Sequence, residues 1–180
     1  MTLRDPFRID GPTCLPPRWR ISYRADPVVS ALADRHYSRQ SVGAAQFVPP
    51  GACVVLRSLC GRAGWVTLQQ RPEYVHHDWP HAWNNSLFRN DGAGLSSELI
   101  RQAVSATLAE WPVPPPQGMV TFVDPDRIRR KRDPGRCYLR AGFRRVGTTR
   151  GGLHVLQLLP EHMPAPCPAI GAQQRIEVTA

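Results

Sequence analysis

The sequence predicts one folded domain of the α/β (α+β) class, formed by residues 21–159. Two segments carry apolar residues at helical spacing, and short runs rich in β-branched and aromatic residues stand between and after them. The chain has no internal repeat and no obvious linker, and its 180 residues suffice for a single hydrophobic core. We expect residues 1–20 to form an irregular arm and residues 160–180 a proline-rich tail.

The first half of this domain is predicted to contain a helix, a hairpin and a strand. The helix covers residues 26–37, with Asp26 as a favourable N-cap residue. The runs at 52–59 and 63–70 are separated by a glycine-containing turn, which is the pattern of a β-hairpin. Residues 84–89 follow as a short strand.

The second half is predicted to contain two helices and three strands. The longer helix covers residues 95–111, where apolar residues recur on one face and Ser96 or Ser97 could cap the N-terminus. Gly142 would end the shorter helix. The other predicted elements are a buried strand at 118–124, the short helix at 136–142 and two strands at 143–149 and 153–159.

The composition favours an anionic partner and gives no sign of a membrane segment. The formal net charge is +9, and every basic residue except Lys131 is an arginine. Arginine-rich composition is also what a GC-rich gene encodes, so charge alone leaves a solvated surface as an alternative. No apolar run reaches the roughly 18 residues of a membrane span, and we expect a cytoplasmic protein. The five cysteines form no CxxC pair, so free thiols are expected rather than a disulfide framework or a zinc site.

The segment 87–100, LFRNDGAGLSSELI, is a candidate phosphate-binding loop. It places an Arg-x-x-Gly-x-Gly pattern between a predicted strand and a predicted helix. Glycines allow main-chain amides to face a ligand, and a helix N-terminus adds free N–H donors and a positive dipole. A tight turn without a ligand is the alternative. The candidate cofactor-binding residues are Arg89, Gly92, Gly94, Leu95, Ser96 and Ser97.

Two short motifs resemble those of the GCN5-related N-acetyltransferase (GNAT) superfamily. Arg89, Gly92 and Gly94 match its pyrophosphate-binding Q/R-x-x-G-x-G/A motif. Tyr138 and the following Gly142-Phe143 match its later Tyr-x-x-x-Gly-Phe segment. The resemblance covers most of the chain, since the predicted order of helices and strands also fits.

The resemblance implies a GNAT-like single domain, with a central mixed, mostly antiparallel β-sheet flanked by helices. It also implies an acyl-CoA donor such as acetyl-CoA, with Tyr138 as the general acid that protonates the leaving thiolate. By the same analogy, the strands at 118–124 and 143–149 would splay apart and leave a cleft for the donor.

A narrower resemblance is to the Mom-type phage DNA-modification proteins, which have a GNAT-like fold and convert adenine N6 in DNA to a carbamoylmethyl derivative. The segments DRHYS and TFVD and the later Cys-Tyr helix carry this resemblance. It implies an active site with Ser96 or Ser97 at its rim and an aminoacyl donor such as aminoacyl-tRNA as an alternative to acyl-CoA. The catalytic residues that it implies are His36, Tyr37, Asp124 and Tyr138.

Each of these catalytic candidates also has an ordinary structural interpretation. Tyr138 could be a core tyrosine with a satisfied hydroxyl group. His36 and Tyr37 lie at a predicted helix end, where a charged imidazole interacts with the helix dipole. Asp124 precedes a proline, and Asp-Pro often opens a turn. The functional interpretation is favoured by position, because open α/β sheets place reacting groups at the C-terminal ends of central strands.

A basic loop follows the predicted central strand. It could contact a nucleic-acid backbone, the 3′-phosphate of coenzyme A or an aminoacyl-tRNA, or it could be a solvated charged loop. The candidate nucleic-acid-binding residues are Arg127, Arg129, Arg130, Lys131, Arg132 and Arg136.

A stretch rich in imidazole and indole rings precedes the strand at 84–89. Its imidazoles and carboxylate match no rigid metal-binding motif, and we predict that no metal is bound. Trp79 and Trp83 could stack on an extruded base or simply pack in the core. The residues considered as metal ligands are His76, His77, Asp78 and His81.

The leading hypothesis is a GNAT-like, Mom-like transferase that modifies a nucleobase in DNA, with adenine N6 as the acceptor, by transferring an acyl or aminoacyl-derived group. The alternative is an acyl-CoA-dependent N-acyltransferase that acts on a small amine, a protein or RNA. A third hypothesis is a non-enzymatic DNA- or RNA-binding module on a degenerate transferase scaffold. The expected partners of the enzyme are DNA (or RNA) and an acyl donor, with no membrane.

Overall fold

Seven β-strands and three α-helices make up the described part of the chain. The computed structural model describes residues 18–70, 73, 78–128 and 133–172. The strands are β1 (Trp19–Ile21), β2 (Ala52–Ser58), β3 (Ala63–Gln69), β4 (Trp83–Asn90), β5 (Met119–Val123), β6 (Arg144–Thr148) and β7 (His154–Leu158). The helices are α1 (Pro27–Asp34), α2 (Ser96–Glu110) and α3 (Arg136–Arg140).

The strands form one mixed sheet in the order β1-β2-β3-β4-β5-β7-β6. Neighbouring strands are antiparallel except for β4 and β5, which are parallel. The parallel pair follows from the chain path, because α2 returns the chain to the edge of the sheet where β4 began. The predicted α/β (α+β) class with a mixed, mostly antiparallel sheet is therefore confirmed.

The two faces of the sheet have separate hydrophobic cores. On one face, α2 and α3 pack over a large core that includes Trp65, Leu99 and Leu156, each at most 1% exposed. On the other face, α1 covers a smaller core that includes Val29 and Val66. Alternation along the strands directs successive side chains to these two cores.

The local signals that start the two longer helices differ from each other. Asp26 caps α1 as predicted, because its side chain accepts hydrogen bonds from the amides of Val28 and Val29. The prediction that Ser96 or Ser97 caps α2 is wrong, since the N-cap residue is Leu95 and no side chain caps this end. The first amides of α2 are therefore left for another partner.

Both ends of the described chain pack against the domain more closely than the sequence indicated. Trp19 is 1% exposed and donates a hydrogen bond from Nε1 to the carbonyl oxygen of Leu99, so a strand begins inside the predicted irregular arm. Residues 160–172 cover α2 and the β1 edge, where Ile170 forms a bridge with Arg20. The proline-rich tail is therefore part of the folded unit as far as it is described.

The described cysteines are mostly free thiols. Cys53, Cys60 and Cys137 are free, as expected, whereas Cys167 is disulfide-bonded, which the sequence did not indicate. None of the described helices has the length and apolar character that crossing a membrane requires.

Candidate active site between strands β4 and β5

The parallel strands β4 and β5 pair over a short distance and then part. Residues 83–85 of β4 pair with residues 119–121 of β5, but β4 continues to Asn90 and β5 to Val123. The register of β4 against β3 shifts at Ser86, which is the mark of a β-bulge. The bulge bends β4 at the point where the two strands separate. We call the wedge between their C-terminal halves the notch.

The cleft was expected on the wrong side of β5. The sequence placed it between the strands at 118–124 and 143–149, which are β5 and β6. These strands are not neighbours, because β7 lies between them and pairs with both. The strand separation instead lies on the other side of β5.

Asn85 closes the floor of the notch with a saturated set of hydrogen bonds. Its Nδ2 donates to the carbonyl oxygens of Val66 and Leu87, both at 2.9 Å, and so fills the bulge. Its Oδ1 accepts the hydroxyl hydrogen of Tyr138 at 2.5 Å. Its carbonyl oxygen accepts from the Thr121 hydroxyl at 3.1 Å, which joins the floor to β5. Asn85 is 3% exposed, so this network is part of the core.

Tyr138 occupies a core position beneath the notch. It is 7% exposed and makes edge-to-face contacts with Phe88 and Phe143. Burial raises the pKa of its phenol well above the usual value, and the nearby Cys137 raises it further. The phenol is therefore protonated at neutral pH, and its hydrogen is donated to Asn85. These are the features of a core tyrosine with a satisfied hydroxyl.

Tyr37 reaches the notch from the end of α1. Its hydroxyl lies 3.4 Å from the carbonyl oxygen of Phe122 and 3.3 Å from the amide nitrogen of Asp124. Both groups belong to the part of the chain that lies beyond the last residue of β5 paired with β4. Burial raises the pKa of Tyr37, and the charge of Asp124 adds to this shift. Tyr37 is therefore a second protonated phenol, partly exposed and held by two long hydrogen bonds.

His36 stacks on Tyr37 with the ring centroids 4.3 Å apart. Its Nδ1 lies 2.7 Å from the Ser38 hydroxyl and accepts a hydrogen bond from the Ser38 amide. Desolvation, together with the charge of Arg89, lowers the pKa of His36 to about 4. The imidazole is therefore neutral at pH 7. Because Nδ1 acts as an acceptor, the proton lies on Nε2, which can donate a hydrogen bond.

The carboxylate of Asp124 opens a turn. Its Oδ1 accepts hydrogen bonds from the amides of Asp126 and Arg127 at 2.9 and 3.1 Å, and its Oδ2 lies 3.9 Å from the Arg127 guanidinium. The structure thus brings His36, Tyr37 and Asp124 together on one side of the notch and places Tyr138 at its floor. Asp124 joins this group through its amide, whereas its side chain is used by the turn.

Arg89 is held by neighbouring groups and is not a free cation. Its Nε lies 2.6 Å from Asp91 Oδ1, and its Nη1 donates to the carbonyl oxygen of Arg35 at 3.0 Å. Asp91 also pairs with the Arg35 guanidinium at 2.8 Å, and these arginines hold the Asp91 pKa below its usual value. Arg89 therefore ties the end of β4 to the end of α1, a role that differs from the predicted contact with a phosphate.

The loop before α2 uses some of its amides internally and leaves others open. Asn90 Oδ1 accepts from the amides of Gly92 and Ala93 at 3.1 and 2.8 Å, so the predicted role of the Gly92 amide in a phosphate cradle is not supported. Asn90 Nδ2 donates to the Ser96 hydroxyl at 2.8 Å. No described residue accepts a hydrogen bond from the amides of residues 94–97. These amides, including those of Gly94, Leu95, Ser96 and Ser97, remain available to an anion.

Two arginines that the sequence analysis missed flank this loop. Arg62 donates from Nε to the carbonyl oxygen of Asp91 at 2.9 Å, and its Nη2 would lie 2.9 Å from a Cβ atom at Gly92. The Arg18 guanidinium would collide with a Cβ atom at Gly94. Both glycines have positive φ, of 92° and 142°, which disfavours a side chain there, and a side chain would also displace the neighbouring guanidinium group. The free amides and these two guanidinium groups suit a phosphate or pyrophosphate group.

The remaining predicted site residues lie outside the notch or outside the described residues. Arg127 and Arg136 have side chains that are 67% and 61% exposed, near Asp124 and Asp133 respectively. Trp83 is 3% exposed and packs on Trp111, so of the two alternatives considered for it the structure shows packing in the core. Arg129, Arg130, Lys131, Arg132, His76 and His77 lie outside the described residues.

The other candidates near the imidazole-rich stretch are at the surface or against β6. Trp79 lies against β6, where its Cη2 would be 3.6 Å from a Cβ atom at Gly147. Asp78 and His81 are exposed. No group of three or more metal-ligating side chains occurs among the described residues.

Sheet register explains why Asn85, Arg18 and Arg62 were not found from the sequence. Ala63 pairs with Asn90, which sets Arg62 beside the loop although about thirty residues separate them. Asn85 is one of two adjacent asparagines, and only the bulge decides which of them faces Tyr138. Arg18 precedes a strand that the sequence analysis did not predict.

Comparisons of the chain with protein-family models, with curated proteins and with solved structures find no match. The geometry of the notch and the motif resemblance are therefore the basis for assigning a function.

Proposed function

We propose that the protein is a GNAT-like transferase, closest to the Mom-type proteins, that modifies a nucleobase in DNA, with adenine N6 as the acceptor. The single observation that carries the proposal is the parting of β4 and β5 at Asn85 and Thr121. It creates an opening between parallel strands, where reacting groups of mixed sheets gather. The resemblance implies a strand separation as the place that receives the acyl donor.

The residues on the two sides of the notch suit different parts of a group transfer. The amides of residues 94–97, together with Arg18 and Arg62, suit the phosphates of a donor such as acyl-CoA or the 3′ end of an aminoacyl-tRNA. An acyl donor supplies an activated carbonyl group. His36, with a proton on Nε2, would orient the acceptor or the carbonyl oxygen.

A protonated phenol would supply the hydrogen for the leaving group, and the proton lost by the acceptor nitrogen would restore the phenol. The resemblance assigns this role to Tyr138, but the Tyr138 hydrogen is already donated to Asn85 in the closed floor of the notch. Tyr37 is partly exposed, and its hydroxyl group makes only long hydrogen bonds. We therefore assign the proton donor to Tyr37, and we assign Tyr138 to the support of the floor.

The charges near the notch bear on which kind of amine could be the acceptor. Asp91 is paired with two arginines, and the Asp124 side chain is used by a turn. The Asp91 charge is thus compensated by its arginines, whereas Asp124 keeps a negative charge beside Tyr37. The exocyclic nitrogen of adenine is uncharged and weakly nucleophilic. Transfer of a group to this nitrogen therefore depends on positioning, and the base must leave the stack.

An acyl-CoA-dependent acyltransferase that acts on a small amine, a protein or RNA is the second candidate. It is favoured by the arginine pair and free amides before α2, which suit a pyrophosphate whatever the acceptor is. Both candidates use the same donor side of the notch and differ on the acceptor side.

Tests with separate acceptors distinguish the two candidates. The readout is release of coenzyme A from acetyl-CoA, or of deacylated tRNA from charged tRNA. Purified protein is incubated with acetyl-CoA, or with charged tRNA as the donor, and with duplex DNA, single-stranded DNA, uncharged tRNA or a polyamine as the acceptor. Product release that requires DNA supports the nucleobase transferase. Release that requires the polyamine or tRNA supports the second candidate, and release with none of these acceptors contradicts the nucleobase assignment and leaves a protein as the acceptor of the second candidate.

A further inference from the structure

One edge of the sheet carries a set of exposed arginines without carboxylate partners. No ion pair joins any of them to a described residue. Residues 134–160 contain five arginines and neither aspartate nor glutamate. The four that are exposed, and unpaired among the described residues, are called the α3–β6 edge and are Arg140, Arg144, Arg145 and Arg150.

The lack of carboxylates near these arginines contrasts with the surroundings of α1. Arg35, Arg39 and Arg57 are each paired with an aspartate at 2.8 to 3.5 Å. The folded chain therefore neutralises arginines around α1 and leaves those around β6 uncompensated. Adjacent like charges repel one another, and a counterion or an anionic partner relieves this repulsion.

The α3–β6 edge lies near the notch, with Arg144 and Arg145 level with Val120 and Thr121 and only its far end level with the opening. Thr148 pairs with His154, which in turn pairs with Val123, so β6 and β5 end at the same side of the sheet. Arg150, in the turn after β6, therefore lies at the end of the sheet where the notch opens. Only β7 separates β6 from β5, which places the edge about 10 Å from β5 at the usual strand spacing.

We propose that the α3–β6 edge binds the phosphate backbone of duplex DNA. The inference deepens the proposed function and rests on it, since this DNA would carry the base that enters the notch. A five-residue strand is about 17 Å long, and duplex DNA presents a charge every 1.7 Å or so along its axis. Several phosphates thus face one such strand. Guanidinium groups bind phosphate oxygens with paired hydrogen bonds. Arginine side chains therefore suit contacts with a phosphate backbone.

A pair of charge-matched double variants tests the proposal. Arg144→Gln with Arg145→Gln removes two charges from the edge. Arg20→Gln with Arg101→Gln removes two exposed charges, unpaired among the described residues, from β1 and α2. The dissociation constant of a fluorescent duplex of about two helical turns is measured without donor over a salt series. Thermal unfolding checks that both variants remain folded.

The edge variant is expected to weaken duplex binding by about 30-fold at 0.15 M salt and to reduce the slope of log K against log salt by about 2. The control variant should keep the slope of the wild-type protein. Equal losses in the two variants would overturn the proposal, because they would reflect net charge alone. Unchanged binding by the edge variant, or edge-dependent binding of tRNA or an acidic peptide without binding of duplex DNA, would also overturn it.

The test separates this inference from the proposed function. Because no donor is present, edge-dependent binding by a protein that modifies no base would keep the binding surface and remove the transferase assignment. Normal duplex affinity in an edge variant that still modifies DNA would remove only the binding surface.

Discussion

Two phenols near the notch differ in how their hydroxyl groups are held. The Tyr138 hydroxyl donates to a buried asparagine at 2.5 Å, whereas the Tyr37 hydroxyl makes contacts of 3.3 and 3.4 Å with the main chain around β5. A short buried hydrogen bond contributes to stability because losing one partner leaves the other unsatisfied. A phenol with long hydrogen bonds can change partner at little cost. The same side-chain type thus suits a structural role at one position and proton transfer at the other.

The variants Tyr37→Phe and Tyr138→Phe should therefore affect different properties of the protein, the first its activity and the second its stability. We expect Tyr37→Phe to reduce kcat by about 10²–10⁴-fold with little change in stability. We expect Tyr138→Phe to lower the free energy of unfolding by about 1–3 kcal/mol, because Asn85 Oδ1 loses its donor. Steady-state kinetics and denaturant unfolding of the two proteins measure both quantities. A Tyr138→Phe protein of normal stability and no activity would return the proton-donor role to Tyr138.

The His36 imidazole should make folding stability depend on pH in a defined window. Its folded-state pKa of about 4 lies below the ordinary 6.5, so the unfolded chain binds the proton more readily. The stability that neutral His36 permits is complete above pH 6.5 and is lost as the pH falls towards 4. Carboxyl groups with lowered pKa, such as Asp26, Asp34 and Asp91, lose their contributions only at lower pH.

Denaturant unfolding at a series of pH values checks this expectation. The wild-type protein should lose stability between pH 6.5 and 4, and His36→Gln should lose clearly less over the same window. Parallel profiles for the two proteins would mean that His36 is not held neutral by its surroundings.

At the scale of elements, the start of α2 combines open amides with glycines that tolerate positive φ. Gly94 has φ of 142°, and a Cβ atom there would displace the Arg18 guanidinium. We expect Gly94→Ala to weaken the binding of coenzyme A by about tenfold or more. Gly152→Ala is the matched control, because Gly152 also has positive φ, at 83°, but a Cβ atom there meets nothing within 4 Å.

Isothermal titration calorimetry of the wild-type protein and the two glycine variants measures this difference. Both substitutions strain a turn, so a loss of affinity confined to Gly94→Ala would point to the donor site. Wild-type affinity in both variants would place the donor phosphates elsewhere.

Elements that are defined by local sequence patterns could be predicted, whereas elements that depend on contacts between distant parts of the chain could not. The hairpin of β2 and β3, the helix α2 and the strand β5 have strong local patterns, and the structure confirms them within a few residues. The strand β1 has three residues and exists because Trp19 is buried under α2 and the strand pairs with β2. Its local sequence, rich in proline and arginine, carries no strand pattern.

Sheet order was the main feature of the fold that the sequence could not supply. The chain order of β5, β6 and β7 differs from their order in the sheet. The cleft was therefore expected on the wrong side of β5. The convergence of His36, Tyr37 and Asp124 was expected from the motif resemblance. The supporting residues Asn85, Arg18 and Arg62 depend on a bulge and on strand register, which leave no signal in a single sequence.

At the scale of the whole molecule, positive charge and the notch lie at related positions. The open amides and Arg62 border one side of the notch, and the α3–β6 edge lies on the other side of β5. A donor with phosphates and a polyanionic acceptor could thus approach the same opening from different directions. This arrangement suits the proposed transfer to a base in DNA.

Nucleoside mass spectrometry of host DNA tests the central claim most directly. The protein and its Tyr37→Phe variant are expressed in a bacterial host, and the DNA and tRNA are digested to nucleosides. The account predicts a new deoxyadenosine derivative in the DNA of cells with the wild-type protein, absent from cells with Tyr37→Phe. A DNA nucleoside pool without any new mass, or a new mass confined to tRNA, would contradict modification of a DNA base.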